Sequence, residues 1–150
     1  MRKGDKLYSK ALKLASQEEY DYTEVISLLK EAIETYNNSK AAYALATWYL
    51  YGKHVRKSYV KAFELLNKSI EWEPNKNAYF NIAVCYEIGK GTKKDEKKAF
   101  QSYLLAAFYG DNKSKYEIGR CFYYGIGIEK NEELGLDITN WFSDKSESPV

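Results

Sequence analysis

The sequence of 150 residues predicts an all-α solenoid of about four helix–turn–helix repeats, about eight helices in all. Three observations carry that prediction. Gly52, Gly89 and Gly125 stand 37 and 36 residues apart, and a period in this range marks a repeat architecture. Asp21, Ser58, Asp95 and Asn131 step by 37, 37 and 36, and all four belong to the residue types that best cap a helix N-terminus. No run of strict apolar–polar alternation with hairpin turns occurs, so strands have no signal.

The first unit, roughly residues 4–39, is expected to hold a helix from about Asp5 to Ser16 and a second over Tyr22–Tyr36, capped by Asp21. It lacks the terminal glycine, Ala15 standing there in register, as suits a terminal repeat with one neighbour. Units at roughly 40–76, 77–112 and 113–142 each place a first helix before their glycine, which closes it in a left-handed turn. Four columns run along these helices. Tyr43, Phe80 and Tyr116 lie nine residues before the glycine; Leu45, Ile82 and Ile118 seven before; Ala46, Ala83 and Gly119 six before; Tyr49, Tyr86 and Phe122 three before. The offsets fit one buried helical face mixing large and small side chains. Each second helix begins at its cap and repeats a small residue (Val25, Ala62, Ala99, Gly135), followed by a bulky one (Ile26, Phe63, Phe100, Leu136). The last helix is expected to end near Trp141-Phe142, where an apolar end caps the solenoid or dimerises it. Residues 143–150 form a polar tail, expected to be frayed. The repeats make one domain, 1–142. At Gly119 a leucine would overpack the helix contact by about 1–3 kcal/mol, a change expected to exceed any at an exposed Lys115.

Hydrophobic residues make up 45% of the chain and aromatics 16%, enough for a continuous core. Its two prolines, Pro74 and Pro149, fall outside the helical segments. With 23 basic and 21 acidic residues the net charge is +2, so the overall field is weak. No apolar stretch approaches the length of a spanning helix, and no apolar run follows the N-terminal Met-Arg-Lys-Gly-Asp-Lys. A cytoplasmic protein with no membrane insertion is expected.

Catalytic chemistry has little to stand on. His54 is the single histidine, in the basic loop Lys53-His54-Val55-Arg56-Lys57, and reads as a solvated residue. Cys85 and Cys121 occupy one column of successive first helices, with Trp48 as their counterpart. Packed helices lie about 8–10 Å apart, beyond disulfide reach, so two free, buried thiols are expected rather than a redox pair or half a metal site. Gly89-Lys90-Gly91 and Gly125-Ile126-Gly127 follow helices, not strands, and so are turns rather than phosphate loops. The lysines at 90, 93, 94, 97 and 98 are offset by Asp95 and Glu96 and form a solvated edge. RNA binding would need such a patch to spread over a face and would show steep salt dependence. Neither an enzyme nor a nucleic-acid binder is expected, and no cofactor, metal or small-molecule substrate.

The stretch Ala78-Tyr-Phe-Asn-Ile-Ala-Val-Cys-Tyr-Glu-Ile-Gly-Lys-Gly91, followed by Lys93-Lys-Asp-Glu-Lys-Lys-Ala-Phe100, resembles Sel1-like repeats of the tetratricopeptide-like superfamily. The matching residues include Gly89 and Gly91, Gly125 and Gly127, Ile128, Asp95 and Lys98-Ala99. The likeness covers about residues 41–142, and the first forty residues match through their second helix only. His54 departs from it at the second loop glycine, and Gly135 stands where the family has alanine. One cysteine in each of two units differs from the disulfide-bearing secreted members. The resemblance implies a right-handed α-α superhelix and a non-enzymatic binding scaffold: an adaptor, an assembly subunit or, in bacteria, an immunity protein.

It also implies that first helices line a concave groove, and stacked units with a small rotation enclose such a surface. The groove candidates are Tyr43, Thr47, Leu50 and Tyr51; Phe80, Val84, Glu87 and Ile88; and Tyr116, Arg120, Tyr123 and Tyr124. Lys6, Lys10 and Lys13 form its basic end. For Tyr43, Phe80 and Tyr116 packing between helices is an equal alternative. For Arg120, Tyr123 and Tyr124 exposure is preferred, and Tyr and Arg are enriched at interface hot spots. The expected partner is another protein with an acidic patch and an apolar anchor. Arg120→Glu with Tyr123→Ala is expected to abolish its capture without unfolding the chain. A four-unit groove provides the roughly 800 Å² per side of a standard interface. Inhibition of one partner is preferred to an adaptor role.

Overall fold

The computed structural model describes residues 1–146. Eight helices follow in order: α1 (Lys3–Ala15), α2 (Tyr22–Tyr36), α3 (Ser39–Tyr51), α4 (Tyr59–Trp72), α5 (Lys76–Ile88), α6 (Glu96–Phe108), α7 (Asn112–Tyr124) and α8 (Glu132–Ser146). Among the described residues there is no strand, and the fold is all-α. Helix α8 continues four residues past Phe142, through part of the stretch read as a frayed tail; residues 147–150 lie outside the described ones.

The periodic residues do what their chemistry predicts. Asp21, Ser58, Asp95 and Asn131 accept hydrogen bonds from the backbone N–H of Thr23, Lys61, Lys98 and Leu134. Gly52, Gly89 and Gly125 close α3, α5 and α7 with φ of 68°, 71° and 72°, a conformation in which a Cβ is costly. The loops after them are locked the same way each time. The backbone N–H of Ser58, Asp95 and Asn131 donates to the carbonyls of Tyr49, Tyr86 and Phe122 at 3.0, 2.8 and 2.7 Å. The aromatic column three before the glycine therefore fixes where the next helix starts. A second cap series had escaped the sequence reading. Asn38, Asn75 and Asp111 cap α3, α5 and α7 through Ala41, Ala78 and Ser114. The same period that exposed the glycines would have exposed them.

Helix contacts gather into two compact units, Met1–Pro74 and the chain from Asn75 onward. In the first, α1 packs on α2, α2 on α3 and α3 on α4. Its core is built on Ala11, Val25, Leu28, Leu29, Ala32, Ile33, Ala41, Ala42 and Leu45; each fully buried branched side chain stabilises the unit by about 1.5–3 kcal/mol. Asn38 does double work there, since its amide also donates to Asp5 at 2.9 Å and ties α1 to the start of α3. The hydroxyl of Ser39 donates to the carbonyl of Ser69 at 2.9 Å and ties α3 to α4.

In the second unit α5 packs on α6, α6 on α7 and α7 on α8. Ala83, Phe100, Tyr103 and Cys121 form its buried centre, with Phe80, Val84, Ile118, Phe122 and Ile126 packed around them. Phe100 meets Phe122 edge-on at 5.5 Å, and Phe80 meets Tyr103 at 5.8 Å, arrangements that aromatic quadrupoles favour. At the α7–α8 crossing two glycines face each other. A Cβ on Gly119 would run into Thr139, and one on Gly135 would lie 2.7 Å from both the Gly119 carbonyl and the Tyr123 nitrogen. This is why glycine stands at 135 where the two preceding repeats have Ala62 and Ala99. Lys115, read as exposed, sits over the Phe142 ring at 5.2 Å, so Lys113 is the better reference for surface substitutions.

Candidate functional site

The first helices end on a repeated outward column. The residue immediately before each closing glycine is large and apolar, and each time it stays in water: Tyr51 is 73% exposed, Ile88 51% and Tyr124 65%. Tyr116, on the same face of α7 as Tyr124, is exposed too. Tyr43, Thr47, Leu50 and Tyr123 are half-buried. Phe80 and Val84 belong to packing rather than to a binding face, for both lie against the Phe100–Tyr103 core. In the first unit Lys6, Lys10 and Lys13 are exposed, and Lys10 pairs with Glu24 at 3.4 Å.

Arg120 departs from its expected role as an exposed cation among tyrosines. Its Nε donates to Glu117 at 2.6 Å, and its Nη2 donates to both Glu87 oxygens at 2.8 and 2.7 Å. Tyr103 donates its hydroxyl to the same Glu87 at 2.8 Å. Burial works against the Arg120 charge, but these hydrogen bonds outweigh it and hold the guanidinium pKa above its ordinary value. Burial, and then donation to Glu87, raises the Tyr103 phenol. The site therefore reads as two carboxylates on one guanidinium, so Arg120 is not available as a lone attraction for an acidic group. A charge-assisted network of this kind positions side chains as much as it stabilises.

Beside this network α7 and α8 enclose an open recess of about 410 Å³. Its walls include Tyr116, Arg120, Tyr123 and Tyr124 from α7, and Leu136 and Thr139 from α8, with Gly119 and Gly135 at its floor. The sequence shows Leu136 only as the last member of the bulky column Ile26, Phe63, Phe100 and Leu136, and that column carries no signal of exposure. Leu136 is 52% exposed.

His54 is also placed differently from its reading as a solvated loop residue. It takes a left-handed backbone, φ 59°, at the position of the second loop glycine. Its ring stacks on Tyr22 with centroids 3.7 Å apart. Trp48 meets it edge-on at 5.0 Å, and its Nε2 hydrogen-bonds the Tyr20 hydroxyl at 2.8 Å. Removal from water, and then Lys53, lowers its pKa. Asn or His in a left-handed position is an enriched exception to the glycine rule, which is the signal that the departure at 54 carried.

Cys85 and Cys121 are free and buried, as expected. Burial raises both thiols, Cys121 to about 11, so neither is a ready nucleophile at neutral pH. Among the described residues no three His, Cys, Asp or Glu side chains gather as metal ligands, and no helix is long and apolar enough to cross a membrane.

A fold of paired-helix repeats that keeps apolar side chains on an outward column defines a class of repeat proteins. The Sel1 repeat family model matches residues 39–71, 76–109 and 112–137, well over half the chain, and the protein belongs to that family. Sel1 repeats are a protein-interaction fold. Among solved structures, a Sel1 repeat protein from Oxalobacter formigenes aligns with a TM-score of 0.78 at 24% identity, covering 97% of this chain and 59% of that one. A protective antigen of uropathogenic Escherichia coli with an SLR fold aligns at 0.79 and 20% identity, covering 98% of this chain and 34% of that one. An immunity protein from Pseudomonas aeruginosa aligns at 0.60 and 24% identity, covering 97% and 54%. The chain thus spans about a third to three-fifths of the length of these structures. A search of curated proteins finds no significant match.

Proposed function

We propose that this chain is a non-enzymatic module that binds another protein through the outward faces of its first helices. The observation that carries this reading is the column Tyr51, Ile88 and Tyr124, in which a large apolar side chain stays exposed on three successive first helices. None of the three is needed to fill the core, and the recurrence of an exposed large side chain at one repeat position of each first helix is what supports a contact role there. The anchor of the partner is apolar. With Arg120 engaged by Glu87 and Glu117, attraction for an acidic patch falls to the exposed face of Lys6, Lys10 and Lys13. Nucleic acid is not the expected partner. Two free thiols suit a reducing compartment such as the cytoplasm.

Within this class we favour stand-alone inhibition of one target, in the manner of an immunity protein blocking a toxin, over an adaptor role. The immunity protein among the similar folds supports the first; Sel1 repeats in general suit either. The test is the full chain with Tyr51, Ile88 and Tyr124 all changed to serine. Because these side chains are exposed, the melting temperature is expected to stay within a few degrees of the parent, while a one-to-one complex captured by the parent is lost. Undiminished capture would overturn the column. A captured target whose own activity is unchanged by the complex would turn the reading toward the adaptor.

A further inference from the structure

We propose that the outward face of α6 docks on the outward face of α8 of a second copy of the chain, in a two-fold dimer. This surface is separate from the column on the first helices. Helix α6 buries Ala99, Phe100, Ser102, Tyr103 and Ala106, yet its opposite face is apolar too. Leu104 and Leu105 are each 43% exposed and Phe108 is 80% exposed, at spacings i, i+1 and i+4 that share one side of a helix. A helix that is apolar all round is normally one whose whole surface is covered. The same three positions hold Lys30, Glu31 and Glu34 in α2, and Asn67, Lys68 and Glu71 in α4, so the repeat itself does not call for apolar residues there. Nor are they exposed for want of a following repeat, since α7 and α8 are in place and leave them open.

Charge names the occupant. From Lys97 to Tyr109 the chain has no acidic residue, and Lys97 stands at the head of the apolar stripe. The matching face of α8 is the reverse, for positions 97, 101, 105 and 108 of α6 become Glu133, Asp137, Trp141 and Asp144. All four are exposed, Trp141 by 54%. Among the described residues neither Lys97 nor any of these three acids enters an ion pair. A basic apolar face and an acidic face with one aromatic thus belong to successive repeats of one compact unit. Each supplies what the other lacks, and complementary charge selects partner and register. Because a 36-residue step relates α6 to α8, a two-fold axis running along the helices sets each on the other's counterpart and closes the pair. It brings Lys97 level with Glu133 of the second copy, Gln101 with Asp137 and Leu105 with Trp141, with Leu104 and Phe108 within a turn of the indole. The other two-fold arrangement, α6 on α6 and α8 on α8, sets Glu133, Asp137 and Asp144 against their own copies, and like charges so placed are costly. Asp144 comes level with Phe108 and is the one poor match. Each helix is about 20 Å long and packed helices lie about 10 Å apart, so the two faces cover about 400 Å² a side, half of the roughly 800 Å² in a standard interface. The dimer is therefore weak and depends on concentration.

The test is sedimentation velocity of the full chain at low salt over about 5–500 µM, the range of weak complexes. The expected result is a monomer–dimer equilibrium that weakens as salt rises. Phe108→Ser, Lys97→Glu and Glu133→Lys are each expected to weaken it about tenfold or more. Because all three side chains are exposed, the melting temperatures should stay within a few degrees of the parent. The decisive arm mixes the Lys97→Glu and Glu133→Lys variants. Alone, each sets like charges together at both contacts of its dimer. Mixed, they restore opposite charges at both contacts, so a heterodimer of parental strength is expected. A chain that is monomeric at every concentration, a dimer that Phe108→Ser leaves intact, or a mixture no stronger than either variant alone would each overturn the proposal. Monomers that float with phosphatidylglycerol vesicles, and cease to with Phe108→Ser, would overturn it by giving the α6 face to a membrane surface.

Discussion

The loops after α3 and after α7 follow the same backbone with different residues. His54 and Gly127 both occupy the left-handed region, at φ 59° and 67°, and both sit against the start of the preceding second helix. At Gly127 that contact is backbone to backbone, and a Cβ would run into the Glu96 carbonyl. At His54 it is a ring stacked on Tyr22, the counterpart of Glu96 two periods earlier. One repeat position can thus be met by a residue that yields space or by one that fills it. The second unit uses the first device again where Gly119 meets Gly135. The two repeats before this crossing use the second, with Ala46 and Ala62, then Ala83 and Ala99, fully buried in the corresponding columns.

Substitutions that exchange the two devices test this contrast, and the largest effect is expected where backbones touch. Gly135→Ala should destabilise the chain by about 1–3 kcal/mol, even though alanine is the better helix former by about 1 kcal/mol. Stabilisation in a denaturant titration would show that the crossing relaxes and that the glycine pair is incidental. Next comes the charge network, which has no buried counterpart among the ion pairs of the described first unit. Arg120→Ala leaves the Glu87 side chain, 18% exposed, without its cation. The expected cost is about 1–2 kcal/mol, less than for a fully buried pair, against under about 1 kcal/mol for Lys10→Ala at the exposed Lys10–Glu24 pair. Equal losses would reduce the network to surface decoration.

Smaller effects are expected at the stacked loop. His54→Ala keeps the left-handed strain and loses the ring contacts, for a cost of about 1–2 kcal/mol. His54→Gly loses the same contacts but relieves the strain, and should lie about 1 kcal/mol above the alanine variant. If alanine is the milder change, the backbone conformation is not what the position selects. The smallest effect is on pH dependence. The folded protein lowers the His54 pKa below its ordinary 6.5, so the unfolded chain binds the proton first and stability rises with pH through that window. The contribution is complete above pH 6.5 and is lost as pH falls through the folded value. The difference in melting temperature between the parent and His54→Gly should therefore narrow on acidification from neutral pH; a constant difference would mean the ring does not titrate differently in the fold.

Much of the architecture was legible because helix ends are local chemistry. The glycines at 52, 89 and 125, and the caps at 21, 58, 95 and 131, act on backbone groups a few residues away, so their period alone located α2 through α8. The residues Asn38, Asn75 and Asp111 act just as locally and were equally readable. The site was harder to read, because exposure depends on what a neighbouring helix covers. Phe80 and Tyr116 share a column, yet one is covered by the core and the other is open. Leu136 shares a column with Phe100 and has the opposite environment.

The sequence by itself determined that the chain folds as paired helices of a 36-to-37-residue repeat, since capping oxygens, left-handed glycines and the apolar face are all set by neighbours in the chain. Only the tertiary structure decided that Arg120 is held by Glu87 across a repeat, that His54 rests on Tyr22, and that α7 and α8 leave a recess. Those outcomes depend on which side chains separate helices bring within a few ångströms, and a distance of that kind is not encoded by spacing along the chain.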